Sequence, residues 1–178
     1  MNLVLIGYRG TGKSAVARKL AGLLQRQAVS LDQEITRLAG MPIPDIVAVH
    51  GWNHFRDLEE QVCREFGAKD DLIIDCGGGV VEREANFTSL RAGGKVFWLR
   101  ATPGTIVRRI GGDTLRPSLT ETRTFTEEVE EVLQRRTPLY ERLAHATIDT
   151  DGRSLDDLAA TIARRFISAG RGLQGMGE

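Results

Sequence analysis

The chain has 178 residues, which is enough for one domain of ordinary size with a buried core. Its 24 basic and 24 acidic side chains balance, so no general electrostatic attraction to nucleic acid or to a membrane surface is expected. With 41% apolar and 27% charged residues, the composition is typical of a globular protein and not of a disordered one.

The cysteines and the first residues favour the cytoplasm. Cys63 and Cys76 suggest no disulfide framework and have no histidine at metal-ligand spacing, so both are expected to be core residues. The opening stretch MNLVLIG lacks the charged start and the cleavage site of a secretory signal. No apolar run approaches the about 18 residues of a membrane span. We therefore expect a cytoplasmic protein, without a membrane or nucleic-acid partner, and most simply a monomer.

Short apolar runs alternate along the chain with longer segments of helical periodicity. Strands are predicted at 2–7, 28–31, 71–76, 95–100 and 146–149. Helices are predicted at 13–27, 32–39, 44–50, 54–67, 84–91, 103–110, 126–143 and 154–168. This alternation predicts an α/β fold, a three-layer sandwich in which helices cover both faces of a five-stranded parallel sheet. Ligands of such sheets bind beyond the carboxyl ends of the strands.

Residues 1–168 are expected to form a single domain. Within it, the segment 111–124 is polar, contains two glycines and a proline, and has no periodicity, which predicts a mobile lid. The glycine-rich residues 169–178 are expected to be a flexible tail.

The clearest motif is GYRGTGKS at 7–14, which follows a predicted strand and begins a predicted helix. Its glycines let the backbone curl so that N–H groups face an anion, as in nucleoside triphosphate sites. Lys13 is expected to reach the terminal phosphates, and the Ser14 hydroxyl to bind Mg²⁺. The nucleotide-binding residues predicted from this loop are Gly10, Thr11, Gly12, Lys13, Ser14 and Ala15.

The chain lacks the Asn-Lys-x-Asp motif with which GTPases read their base. A short chain with a predicted lid instead favours a small-molecule kinase, whose lid excludes water and so prevents wasteful ATP hydrolysis.

Three further clusters lie outside the phosphate loop, and each alone also allows a purely structural explanation. Arg56 and Glu59 are three residues apart on a predicted helix, where they can pair. Three glycines at 77–79 directly follow a strand, which permits close approach of the backbone to a ligand. Arg136 stands beside a Pro-Leu-Tyr segment.

Together these motifs resemble the shikimate kinases. The matching elements are the phosphate loop, Asp-x-x-Ile from Asp32, Phe-Arg-x-x-Glu at 55–59, Gly-Gly-Gly at 77–79, Arg-Pro at 116–117 and Arg-x-Pro-Leu-Tyr at 136–140. The resemblance extends over nearly the whole predicted domain. It implies the P-loop NTPase fold of the nucleoside monophosphate kinases and ATP-dependent phosphorylation of the 3-hydroxyl of shikimate, a step towards aromatic amino acids.

The resemblance also implies the substrate-binding residues. Arg56 and Arg136 would bind the carboxylate of shikimate, since a guanidinium matches a carboxylate bidentately, and Glu59 would hold Arg56 in place. Asp32 would accept hydrogen bonds from ring hydroxyls, and orient the attacking one or take its proton. The backbone of Gly77, Gly78 and Gly79 would contact the same substrate.

On the nucleotide side, the resemblance implies three more arginines. Arg116 would close with the lid over the phosphates and stabilise charge during transfer, so that Lys13, Asp32 and Arg116 form the expected catalytic set. Arg108 and Arg153 would bind the nucleotide, with Arg153 near the adenine.

The chain departs from the family pattern at Ser30. Shikimate kinases usually have an aspartate there that helps to hold Mg²⁺. Glu34 lies two residues beyond Asp32 on a predicted helix and is expected to face solvent. Asp75, at the end of the third predicted strand, is the better replacement, so the expected metal-side residues are Ser14 and Asp75. The alternative is that Asp75 only caps a turn.

Two other functions stay open from the sequence. One is a kinase of the same fold that acts on another substrate, such as gluconate or a nucleoside monophosphate. The other is a catalytically silent binding or regulatory protein that resembles shikimate kinase, for which Ser30 is the one supporting feature.

Overall fold

A computed structural model describes residues 1–111 and 125–174 of the chain. Its strands are β1 (Asn2–Ile6), β2 (Gln27–Ser30), β3 (Leu72–Asp75), β4 (Gly94–Arg100) and β5 (Ala146–Asp149). They form one sheet in the order β2-β3-β1-β4-β5, and every neighbouring pair is parallel. The predicted five-stranded parallel sheet is therefore confirmed.

The helices connect successive strands across the faces of this sheet. They are α1 (Lys13–Leu24), α2 (Leu31–Ala39), α3 (Ile43–Gly67), α4 (Glu84–Gly93), α5 (Pro103–Ile110), α6 (Phe125–Leu143) and α7 (Leu155–Gln174). A short 3₁₀ turn covers Val80–Glu82. In the part of the chain that the structure describes, no helix is both long and apolar enough to span a membrane.

Side chains of the central strand β1 alternate between two apolar layers, because successive residues of a strand point to opposite faces. Leu3 and Leu5 belong to the layer that includes α1 and α7. Val4 and Ile6 belong to the layer that includes α2, α3, α4 and the end of α6. Both layers are fully buried, so the predicted three-layer sandwich is confirmed. Cys63 and Cys76 lie in the second layer as free thiols, as expected of core residues.

Helix α3 differs from the two helices predicted at 44–50 and 54–67. It spans Ile43–Gly67, and Gly51, with φ 80° and ψ 169°, leaves helical geometry and separates two helical segments. A glycine adopts positive φ without steric cost, so the chain bends at one residue and resumes the helix at once. The two helical segments predicted at 44–50 and 54–67 are therefore present, and the break between them is shorter than predicted because a single non-helical residue is enough to change direction.

Helix α7 extends beyond the predicted end at residue 168 and continues to Gln174. Residues 169–174 of the predicted tail are helical, since a glycine weakens a helix by only about 1 kcal/mol relative to alanine and does not forbid it. Residues 175–178 lie outside the described residues, as do 112–124, which hold most of the predicted lid and Arg116.

Candidate active site

The phosphate loop lies between β1 and α1, at the carboxyl edge of the sheet. Gly7, Gly10 and Gly12 have φ values of 143°, 78° and 92°, so the backbone adopts the curled form that the motif predicts. Lys13 folds back over the loop, and its Nζ donates to the carbonyl oxygens of Gly7 and Tyr8 at 2.8 and 3.0 Å. Helix α1 has neither a side-chain cap nor an acidic residue in its first turn, so its amino end stays favourable for an anion.

The Ser14 hydroxyl donates to Oδ2 of Asp75 at 2.6 Å, directly beneath the loop. Asp75 is only 7% exposed. It is the register partner of Ser30 across the parallel strands β2 and β3. The position of the expected acid and the position of its predicted replacement are therefore neighbours in the sheet.

Ser30 also has a local role that the sequence analysis did not assign. Its hydroxyl oxygen accepts a hydrogen bond from the backbone N–H of Gln33 at 3.4 Å and so caps helix α2. Glu34, on the same helix, pairs with Arg37 at the surface, in line with its interpretation as a surface residue.

A second pocket adjoins the phosphate loop and is lined by charged, apolar and glycine residues. Its lining includes every predicted substrate-binding residue. These are Asp32, Arg56, Gly77, Gly78, Gly79 and Arg136. Apolar surface comes from Ile43, Trp52 and Phe55, and the Trp52 and Phe55 rings meet edge to face with centroids 5.8 Å apart. The pocket therefore combines a hydrophobic wall with two guanidinium groups, of which that of Arg136 is buried and that of Arg56 is partly buried.

Arg56 and Glu59 form the predicted pair. Arg56 Nη1 donates to Glu59 Oε2 at 2.6 Å, and Glu59 is 1% exposed. Burial raises the pKa of Glu59 even though the Arg56 guanidinium opposes the shift. A Cβ at Gly79 would collide with the Arg56 guanidinium, so any other residue there would require this guanidinium to move.

Arg136 has a partner that the sequence did not reveal. Its Nε donates to Oε1 of Glu82 at 2.6 Å, and the residue is 4% exposed. Burial disfavours the charged guanidinium, but Tyr140 and Glu82 outweigh that effect and raise the pKa of Arg136. Glu82 is 54 residues away in the chain, so no local pattern could have identified it.

The arginines predicted for the nucleotide side have mixed positions. Arg108 donates to the Thr105 hydroxyl on its own helix, whereas the adjacent Arg109 donates to the carbonyl of Gly10 in the phosphate loop at 3.1 Å. Arg153, just beyond β5, is held by Asp157 and Thr161 of α7. Arg109 was not among the predicted residues, although the Arg-Arg pair at 108–109 offers two candidates at successive helical positions.

The phosphate loop lines a pocket of its own, here called the phosphate-loop pocket, through residues that include Gly12, Lys13 and Ser14. This pocket and the second pocket share a wall. Arg9, Asp32, Gly77 and Gly78 line both. Asp32 thus stands between the loop that suits phosphate and the guanidinium groups that suit a carboxylate. Tyr8 and Arg9 also line the second pocket, and the sequence analysis had not singled them out because they are the variable positions of the loop motif.

Comparisons with known proteins agree with this geometry. The shikimate kinase family model matches residues 9–167. A shikimate kinase of Thermodesulfovibrio yellowstonii is 38% identical over 165 residues, which cover 93% of this chain and 94% of that protein.

Solved structures give the same result. The structure of a shikimate kinase from Acinetobacter baumannii in complex with shikimate has a TM-score of 0.89 at 33% identity and covers 94% of this chain and 93% of that one. A gluconokinase from Sinorhizobium meliloti has a TM-score of 0.61 at 11% identity, covering 99% and 97%, a likeness that extends to the fold alone. The chain belongs to the shikimate kinase family.

Proposed function

We propose that this chain transfers the terminal phosphoryl group of ATP to the 3-hydroxyl of shikimate. The observation that carries the proposal is the wall shared by the two pockets, with Asp32 in it. Phosphoryl transfer needs the acceptor hydroxyl and the phosphate held side by side, and a binding site for each substrate that meets at one carboxylate supplies that arrangement.

On the acceptor side, Arg56 and Arg136 bind the carboxylate of shikimate. Each is held by an acidic side chain of its own, Glu59 and Glu82 respectively. Rigid guanidinium groups lose little freedom when the ligand binds, which favours affinity. Asp32 then accepts from the ring hydroxyls, and the backbone of residues 77–79 lies close against the ring.

On the donor side, Lys13 and the loop N–H groups receive the phosphates. Lys13 now donates to two carbonyls of its own loop, so it exchanges those contacts for phosphate oxygens when ATP binds. Arg116 belongs to the lid and is proposed to stabilise charge on the transferred group. Arg108 and Arg153 are retained as proposed nucleotide contacts, and Arg109 joins them through its contact with Gly10.

The oxygen atoms of Ser14 and Asp75 beside the phosphate loop suit a magnesium ion. Ser14 and Asp75 offer oxygen atoms 2.6 Å apart, and Mg²⁺ prefers oxygen ligands with one or two carboxylates, completed by water and phosphate. Among residues 1–111 and 125–174 there is no cluster of three or more His, Cys, Asp or Glu side chains that could hold a metal ion. Ser14 and Asp75 would hold the ion, and when bound it neutralises charge on the phosphates.

Release of ADP in a coupled assay tests the proposal directly. We expect ATP-dependent turnover with shikimate in a cytoplasmic enzyme that behaves as a monomer in gel filtration. Gluconate and a nucleoside monophosphate serve as competing acceptors, and ATP without an acceptor measures hydrolysis. Absence of turnover, together with thermal stabilisation by shikimate, would instead support a silent binding protein.

A further inference from the structure

Tyr8 lines the substrate pocket, and its buried hydroxyl has no hydrogen-bond partner within the described ranges of the chain. Among the described residues, four buried side-chain atoms lack a hydrogen-bond partner, and two of them, Tyr8 Oη and Glu59 Oε1, belong to side chains that line this pocket. Tyr8 is only 2% exposed. Because buried polar groups in folded proteins are nearly always hydrogen-bonded, an unpartnered phenol on a residue that lines a ligand pocket is a candidate for a hydrogen bond to the ligand.

The surroundings of Tyr8 hold the phenol in one place. Its ring belongs to an apolar cluster formed with residues of α5 and α6, including Val129 and Val132. Arg136 lies one turn beyond Val132 on α6. The Tyr8 phenol lies close enough to influence the pKa of Arg136 and that of Tyr140. The Tyr8 ring therefore packs against the helix that carries Arg136, and both residues line the pocket.

A carboxylate bound to Arg136 can accept a further hydrogen bond from a neighbouring side chain. Arg136 Nε is already engaged by Glu82, so a bound carboxylate meets the terminal nitrogens of the guanidinium. A carboxylate has two oxygens with about four acceptor sites, more than one guanidinium edge fills. The neighbouring phenol, Tyr140, already donates to the carbonyl of Gly78. Tyr8 is the phenol in this wall whose hydroxyl has no protein partner among the described residues.

We propose that the Tyr8 hydroxyl donates a hydrogen bond to the carboxylate of the bound substrate beside Arg136, which makes Tyr8 a specificity-determining residue. This inference rests on the proposed function, since it takes shikimate as the occupant of the pocket. It assigns a substrate contact to a variable position of the phosphate-loop motif, so that one loop serves both substrates.

The test is Tyr8→Phe, which removes only the hydroxyl. A hydrogen bond to a charged group is worth roughly a tenfold or larger change in affinity, so KM for shikimate should rise about tenfold or more. The turnover number should change less than about twofold and KM for ATP should stay the same, because the contact is to a group remote from the transferred phosphate. In shikimate methyl ester the carboxylate charge is removed. With this substrate, the ratio of KM for Tyr8→Phe to KM for the wild type should fall towards one.

Stability separates this role from a structural one. Without ligand, Tyr8→Phe should melt at or above the wild-type temperature, because it removes an unsatisfied polar atom. The matched variant Tyr140→Phe should melt lower, because its hydroxyl has a partner in Gly78. If Tyr8→Phe destabilises the protein as Tyr140→Phe does, or leaves KM for shikimate unchanged, the inference is overturned while the proposed function stands. If the wild-type protein does not phosphorylate shikimate at all, the proposed function itself fails and the inference fails with it.

Discussion

Ser30 and Asp75 are register partners on adjacent parallel strands. A carboxylate at position 75 can therefore occupy nearly the same place in the site as one at position 30. Facing residues of neighbouring strands lie about 5 Å apart, so an exchange of serine and aspartate between them shifts the carboxylate by a short distance. Ser14 contacts Asp75, which places the carboxylate beside the hydroxyl that the loop motif assigns to Mg²⁺. The position supports the replacement that the sequence suggested, and the metal role itself remains a prediction.

That prediction is tested by Asp75→Asn, which keeps the shape of the side chain and removes its charge. We expect turnover to fall about 10–100-fold at low Mg²⁺, with partial recovery as the Mg²⁺ concentration rises, as is usual when a group that supports a metal is lost. The measurement is a set of Mg²⁺ titrations of initial rate at saturating substrates.

Two further variants complete the experiment. Adding Ser30→Asp to Asp75→Asn returns a carboxylate to the neighbouring strand and should restore a large part of the activity. Glu34→Gln, which changes a surface carboxylate paired with Arg37, should leave the Mg²⁺ dependence unchanged. Unaltered turnover and Mg²⁺ dependence in Asp75→Asn would show that Asp75 only organises the turn.

At the scale of elements, the bend of α3 positions one wall of the substrate pocket. Gly51 has φ 80°, and directly beyond it Trp52, Phe55 and Arg56 all line the pocket. A Cβ at this glycine would meet nothing within 4 Å, so the requirement for glycine is conformational and not a matter of space. Helical periodicity on both sides of the bend was visible in the sequence, but the angle between the two parts was not.

Gly51→Ala should therefore destabilise the protein by about 1–3 kcal/mol, or straighten the bend and raise KM for shikimate. Gly22→Ala is the matched control, because Gly22 lies within α1 in open space and does not have positive φ. That control should be neutral or stabilising by up to about 1 kcal/mol. Urea denaturation and steady-state kinetics measure both effects, and equal behaviour of the two variants would contradict this role of the bend.

At the scale of the whole molecule, we expect stability to depend on pH through a contact between strand β4 and His145, which directly precedes β5. The backbone N–H of Val96 donates to the imidazole Nδ1 of His145 at 3.0 Å, and the backbone N–H of His145 donates to the Val96 carbonyl at 2.8 Å. An imidazole nitrogen accepts a hydrogen bond only without its proton. Partial burial, together with the neighbouring cations Arg91 and Lys95, lowers the pKa of His145 below its ordinary value.

The sign of the effect on stability follows from that direction. A depressed pKa in the folded state means that His145 contributes stability above its ordinary pKa of about 6.5, and that this contribution is lost as pH falls through the folded value. Asparagine can accept the same hydrogen bond without titrating. His145→Asn should therefore lose less melting temperature than the wild type between pH 7.5 and 5.5.

His54→Asn, a change at an exposed histidine of α3, is the control and should follow the wild-type pH profile. Melting curves recorded across this pH range measure the difference. If the melting temperatures of the wild type and His145→Asn changed in parallel with pH, His145 would not be a cause of the acid sensitivity.

The sequence by itself determined the features that depend on neighbouring residues. Glycine spacing predicted the curled phosphate loop, periodicity predicted the five strands and most helix boundaries, and the three-residue interval predicted the pair of Arg56 with Glu59. These are properties of contiguous chain, since backbone conformation and side-chain direction repeat over a few residues. The resemblance to a family then supplied the roles that spacing alone left open.

Only the tertiary structure decided which distant residues meet. Asp75 lies beside Ser14 because β3 is next to β1, and Arg136 pairs with Glu82 because α6 lies against the turn that follows the triple glycine. Likewise, the unpartnered hydroxyl of Tyr8 exists only because α5 and α6 bury it. Burial and pairing depend on how separate elements are placed relative to one another, and no local pattern of residues encodes that placement.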